Sequence, residues 1–208
     1  MAFALDHLVW AVPNLDDGVT LVRDALGVAP SRGGSHVGRG TANFLLDLGA
    51  GVYLEVIGPD VDQPTPDRTR PFGIDDLARP RLVTFAVRVR GIDQVIDTLR
   101  AVGEDPGPAQ PMQRLLPGGG LLSWQLTERP EWAAGIVPFL IDWGESVHPS
   151  HTCAHGAQLE RLRAAHPDGG RVRKLYGVMG LAVDVVDGPE ASLEAVVTGP
   201  KGLMTLSG

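Results

Sequence analysis

Two spacings of apolar residues alternate along this chain. Short β-branched runs bounded by Gly or Pro read as strands, and runs with apolar positions three and four apart read as helices. The first strand is expected over ALDHLVWAV (4–12), stopped by Pro13. NLDDGVTLVRDALG (14–27) follows, with Leu15, Val19, Val22 and Leu26 on one helical face. Asn14 suits the N-cap, Asp16 and Asp17 sit where the helix dipole favours acids, and Gly27 suits a left-handed stop. SRGGSHVGRG (31–40) reads as a loop or irregular strand, and TANFLLDLG (41–49) with GVYLEVIG (51–58) as a hairpin. A proline-rich, charged connection covers 59–81, with a short helix expected in IDDLARP (74–80).

The order then restarts. RLVTFAVRV (81–89) is a strand and GIDQVIDTLRAVG (91–103) a helix, with Ile92, Val95, Ile96 and Leu99 on one face. Strands are expected at LLSWQLTE (121–128) and IVPFLIDWG (136–144). Strand, helix and several strands thus occur twice, with starts about 77 residues apart, which reads as a structural repeat. In the tail, a helix is expected over 155–165, stopped by Pro167. RKLYGVMGLAVDVVDG (173–188) and ASLEAVVTG (191–199) read as strands extending the second sheet.

Composition narrows the class. With 208 residues, 43% of them hydrophobic, the chain can bury a sizeable core in one or two small domains. A net charge of −7 without a basic run argues against nucleic acid and anionic membranes as partners. The single Cys153 rules out an internal disulfide framework and suits a reducing compartment. The start lacks a basic region followed by a long apolar stretch, and no apolar run approaches the roughly 20 residues that span a bilayer. A cytoplasmic globular protein is expected.

Candidate chemistry begins with one acid on an apolar strand. Strand alternation puts Glu55 on a face with Tyr53 and Ile57, and His7 on a face with Leu5 and Val9. A carboxylate is seldom buried in an apolar strand without a partner. In HPSHTCAH (148–155), His148, His151 and His155 have the spacing of one helix face and with Cys153 would suit zinc, but Pro149 argues for a loop instead. No G-x-S-x-G, P-loop, helix-opening G-x-G-x-x-G or C-x-x-C occurs.

LDHLVWAV (5–12) with a helix behind it, then HVGRGTANFLLDLGAGVYLEVIGPD (36–60), resembles the glyoxalase-like branch of the vicinal oxygen chelate superfamily. VPFLIDWGESVHPS (137–150) and AHPDGG (165–170) resemble segments of it more loosely. The resemblance implies an α+β fold of two paired βαβββ modules, whose curved sheets enclose a cleft, with extra C-terminal helix and strands. The first module would cover 1–60, the connection 61–80, and the second module with its extension 81–208. It also implies a divalent metal that chelates adjacent substrate oxygens, with His7 and Glu55 at the first-module ligand positions. Imidazole and carboxylate suit Zn, Fe, Mn, Ni or Co alike.

The second module departs from that pattern. Thr84 stands opposite His7 and Ile141 opposite Glu55, while Asp142 is one residue off and would need a bulge to re-aim it. His36 could complete a set of two histidines and one carboxylate, or act as an acid/base group in the cleft. Arg39 and Arg114 could clamp a carboxylate or phosphate, Asn43 would stand near them, and Trp124 could wall a ring or acyl chain.

Two functions stay open at this level. One is an enzyme polarising a small oxygenated molecule, with isomerase, lyase or dioxygenase chemistry at His7 and Glu55 assisted by a metal, or with Glu55 and His36 in acid/base roles. The other is a small-molecule binding or sequestration protein with a degenerate metal site, its cleft lined by Trp124, Phe44 and Phe139. Open sheet edges suggest a homodimer.

Overall fold

The computed structural model describes residues 3–127 and 135–208. Strand β1 (Ala4–Ala11) leads into helix α1 (Leu15–Leu26), followed by β2 (Ser31–His36), β3 (Thr41–Asp47) and β4 (Tyr53–Pro59). The same order returns as β5 (Arg81–Arg88), α2 (Ile92–Ala101), β6 (Ala109–Leu115), β7 (Leu121–Thr127) and β8 (Phe139–Asp142). Glu128, the last residue of the expected seventh strand, lies outside the described residues.

Both helices form where the apolar spacing places them. The Asn14 side chain accepts from the Asp17 amide, and Gly27 ends α1 at φ 80°. Helix α2 buries Ile92, Val95, Ile96 and Leu99. In the connection, residues Pro71–Asp76 form a 3-10 segment rather than the helix expected at 74–80.

The sheets join at both edges. The strands close into a barrel in the order β1-β4-β3-β2-β6-β7-β8-β5. One seam is the antiparallel β1–β5 pair, running from Ala4 opposite Arg88 to Ala11 opposite Arg81. The other is narrow, with Ser35 opposite Leu115 and His36 opposite Arg114. Closure leaves an interior lined by the inward sides of all the barrel strands. Val9, Ala11, Leu45, Tyr53, Ile57, Ala86, Trp124, Phe139, Ile141 and Trp143 pack there. A second apolar layer lies outside, where Leu8, Trp10, Leu54, Phe85 and Val87 meet residues of the helices and of the C-terminal region.

The tail differs from expectation in two places. Residues 155–165 are not a helix: β9 (Gln158–His166) occupies most of that stretch. The expected strand at 173–188 begins instead as helix α3 (Gly169–Val178) and becomes β10 (Asp184–Asp187) only at its end. Strands β11 (Ser192–Gly199) and β12 (Gly202–Ser207) complete a separate sheet, β10-β9-β11-β12, so the tail does not extend the barrel. Among the described residues, no helix is long and apolar enough to cross a membrane.

Candidate functional site

Glu55 projects from β4 into a cavity of about 150 Å³ inside the barrel, and is only 8% exposed. His7, His36, Arg39, Asn43, Arg114 and Trp124 line the same cavity, with Tyr53, Ile57, Phe72, Met112, Phe139, Ile141 and Trp143 among the walls. The polar and aromatic residues singled out in the sequence therefore converge. Phe44 does not: it packs against the outer layer, because its neighbour Leu45 takes the inward side of β3.

His7, His36, Asn43, Glu55 and Arg114 are each held by their strand and by at least one partner. His7 and Tyr53 stand opposite each other across β1 and β4, and their rings stack with centroids 4.6 Å apart. The Phe139 ring meets His7 edge-on at 5.5 Å. His7 Nε2 lies 3.8 Å from Glu55 Oε2, and His36 Nε2 lies 3.7 Å from Glu55 Oε1. Asn43 Nδ2 donates to Glu55 Oε1 at 2.5 Å, while Arg114 Nη1 donates to Asn43 Oδ1 at 3.2 Å. Arg114, Asn43 and Glu55 thus form one hydrogen-bonded line across the cavity.

His36 is in strand β2, not in a loop. Its Nδ1 lies 3.0 Å from Thr41 Oγ1, and its Nε2 faces the Asn43 amide at 3.4 Å. Burial lowers its pKa from 6.5 to about 4, with Arg114 and Arg39 adding to the effect and Glu55 opposing it. At neutral pH His36 is an uncharged imidazole whose Nε2 lone pair points into the site.

Asp6 is the site residue that sequence reasoning missed. It has no exposed surface, and its Oδ1 accepts from His7 Nδ1 at 2.6 Å. Its Oδ2 accepts from His148 Nε2 at 2.8 Å and from Trp143 Nε1 at 3.1 Å, with Arg88 Nη1 at 3.6 Å. Burial alone would raise the Asp6 pKa, but hydrogen bonds from His148 and His7 hold it well below the usual carboxylate range. Neighbours in a strand normally face opposite sides. Here the β1–β5 register slips between Leu5 and His7, and this bulge lets the Asp6 side chain reach the His7 ring. The slip also sends Leu5 to the outer layer instead of beside Val9. The only sequence signal was an acid directly before the candidate histidine.

Asp142 and the histidine-rich segment serve other ends. Asp142 Oδ2 accepts the amides of Gly91 at 2.8 Å and Ile92 at 3.2 Å, capping α2 outside the cavity. His148 precedes a 3-10 turn at Pro149–His151, and His155 Nδ1 turns to Asp47 Oδ2 at 3.1 Å, so the three histidines do not share a helix face.

The donor set can be tested against a metal ion. The first half of the barrel offers two imidazole Nε2 atoms and one carboxylate. The second half offers Ile141 opposite Glu55, and Thr84 does not line the cavity. Asn43 already occupies Glu55 Oε1. Among the described residues no group of three or more His, Cys, Asp or Glu side chains is arranged to hold a metal ion. The residues present do not make a preformed metal centre.

The cavity opens outward. Arg39, Met112, Trp124 and Trp143 also line a broad groove of about 890 Å³, whose rim carries Gln113, Gln125 and Glu145.

Comparison with known proteins supplies the family. A family model described as a glyoxalase-like domain matches residues 5–179. Comparison with curated protein sequences finds no match. Among solved structures, the fold is similar to that of a hypothetical protein from Staphylococcus aureus, with a TM-score of 0.62 and 15% identity, covering 99% of this chain and 85% of that one. Methylmalonyl-CoA epimerase from Mycobacterium tuberculosis is more distant, with a TM-score of 0.45 and 21% identity over 67% of this chain and 87% of that one. With a glyoxalase-like model matched over most of the chain, and a twice-repeated strand–helix–three-strand order closing around the cavity, the chain belongs to the glyoxalase-like domain family.

Proposed function

We propose that this protein is an enzyme that binds a small oxygenated molecule in the barrel cavity and moves a proton on it through Glu55. The observation that carries this reading is the placement of Glu55: one carboxylate, almost fully enclosed, facing the cavity between two imidazole Nε2 atoms. Proton transfer next to a carbonyl needs a base held within reach of the carbon and shielded from bulk water. The Asn43 amide fixes the Glu55 carboxylate in one orientation and leaves Oε2 toward the cavity. Asp6 accepts at His7 Nδ1, which holds the ring with Nε2 toward Glu55. His36, neutral, is an acceptor for a substrate hydroxyl or an exchanging proton. The cavity is small, about 150 Å³, so the reacting part of the substrate is compact.

The test is proton exchange. Purified protein is incubated in D2O with a panel of small carbonyl compounds, 2-oxobutyrate among them, and loss of the proton next to the carbonyl is followed by NMR. Exchange by wild type, retained after dialysis against EDTA and abolished in Glu55→Gln, supports the reading. Exchange that disappears with EDTA and returns with Zn, Fe, Mn, Ni or Co would replace it with metal-assisted chemistry at His7, His36 and Glu55. Tight binding of a carbonyl compound without exchange would favour sequestration, the function suggested by the missing ligands at Thr84 and Ile141.

A further inference from the structure

Three buried side-chain polar atoms among the described residues have no hydrogen-bond partner: Thr84 Oγ1, Arg114 Nε and Trp124 Nε1. An unpaired polar group in a protein interior loses its hydration without replacement, so such groups are rare and call for a reason. Two of these three are N–H donors, and both side chains line the same cavity. Arg114 is 4% exposed and Trp124 9%.

The local structure explains why they lie together. Strands β6 and β7 form an antiparallel pair in which Met112 faces Trp124 and Arg114 faces Leu122. Residues directly opposite share a face, and so do residues two apart along a strand. Met112, Arg114 and Trp124 therefore stand on one inward surface. Among the described residues no carboxylate lies within ion-pair distance of Arg114, and its Nη1 donates to the neutral Asn43 amide oxygen. Burial disfavours the guanidinium charge, with Tyr53 and Glu55 acting in the opposite direction. A buried guanidinium in that state is a ready partner for an anion.

The geometry points to a carboxylate subsite formed by Arg114 and Trp124 in the cavity that holds Glu55, which makes the ligand a small carboxylic acid with its reacting carbon beside Glu55. This assignment rests on the proposed function for the role of Glu55, but the anion subsite itself does not. Both side chains line the cavity, and a planar carboxylate offers the acceptors that a guanidinium and an indole N–H take. The Arg114–Asn43–Glu55 line then couples the two ends: the group that anchors the acid also orients the base through one shared amide.

The test compares 2-oxobutyrate with its neutral isostere 2-oxobutanamide, by calorimetric titration and by the indole N–H resonance of Trp124, assigned with Trp124→Phe. The expected result is tenfold or tighter binding of the acid, with the Trp124 indole proton shifting on titration. Arg114→Met should erase the preference and Arg114→Lys should keep a fraction of it, with far-UV circular dichroism confirming that each variant is folded. Glu55→Gln should still prefer the acid to the amide. Equal affinity for acid and amide, an unmoved Trp124 resonance at saturation, or no binding of acetate, 2-oxobutyrate or benzoylformate by wild type would each overturn the subsite. Acid preference that depends on Arg114, with no deuterium exchange in any acid, would keep the subsite and discard Glu55 as the proton-moving group. Exchange lost in Glu55→Gln, with no preference for acids, would do the reverse.

Discussion

Asp6 carries a negative charge at a position with no exposed surface, and His7, His148, Trp143 and Arg88 all turn toward it. Breaking such a buried cluster from one side is costly. Asp6→Asn is expected to lower the unfolding free energy by about 3 kcal/mol in urea titration. It should also mix the His7 tautomers, read from imidazole nitrogen chemical shifts, because an amide can no longer accept from two imidazoles at once. His36 gives a separate pH signature. Its folded pKa of about 4 lies below its ordinary 6.5, so between those values the unfolded chain binds more protons and stability rises with pH. Stability should therefore fall as pH drops from 6.5 to 4, by a total of about 3 kcal/mol. His36→Gln should remove that limb and leave the loss below about pH 4, where Asp6 takes up a proton in the unfolded chain while its folded carboxylate stays charged. At this scale Glu55 and His7 were legible from strand alternation and the family resemblance, whereas Arg114 and Trp124 were singled out by residue type alone, the strand that carries Arg114 not having been expected. Asp6 was not, since strand alternation assigns it to the opposite side and only the bulge overrules that.

The strand β2 owes its shape to Gly33 and Gly34. The β2–β3 register slips between Arg32 and Gly34, so Gly33 is the bulged residue, and Gly34 has φ 142°. A β-carbon at Gly34 would lie 1.9 Å from the Leu115 carbonyl oxygen, in the seam that closes the barrel. Gly34→Ala is expected to destabilise by about 2 kcal/mol or more, seen as a lowered melting temperature, and to open the β2–β6 edge to faster amide exchange. A β-carbon at Gly33 would fall 2.3 Å from Asn43 Oδ1. Gly33→Ala should therefore weaken 2-oxobutyrate binding by disturbing the Arg114–Asn43–Glu55 line. The glycines were visible in the sequence, but as a sign of looseness, so β2 read as a loop. Local pattern misled elsewhere too. In the tail, the strong helix formers of Gln158–His166 suggested a helix, yet the alternate burial of Leu162 and Ala164 against the sheet made a strand. Helix α3 had the right spacing in Val172, Leu175, Tyr176 and Met179, all buried, but Gly169, Gly170 and Gly177 hid it.

Across the whole molecule, the repeat gives the site its polarity. The first half of the barrel contributes Glu55, His7, His36 and Asn43 to the cavity, and the second contributes Arg114, Trp124, Phe139 and Ile141. In the proposed reading, the first half is the base-bearing wall and the second the anion-binding wall. The repeat itself was legible from spacing alone. Closure into a barrel was not, because it depends on the β1–β5 and β2–β6 seams between residues far apart in the chain. The central claim is that these walls act on one ligand, with Glu55 moving its proton. The most direct measurement is the rate of deuterium incorporation next to the carbonyl of 2-oxobutyrate in D2O, in parallel with its affinity, for wild type and Glu55→Gln. The account predicts exchange by wild type and at least a hundredfold slower exchange in Glu55→Gln at equal occupancy. Equal exchange rates in the two proteins at equal occupancy would contradict it.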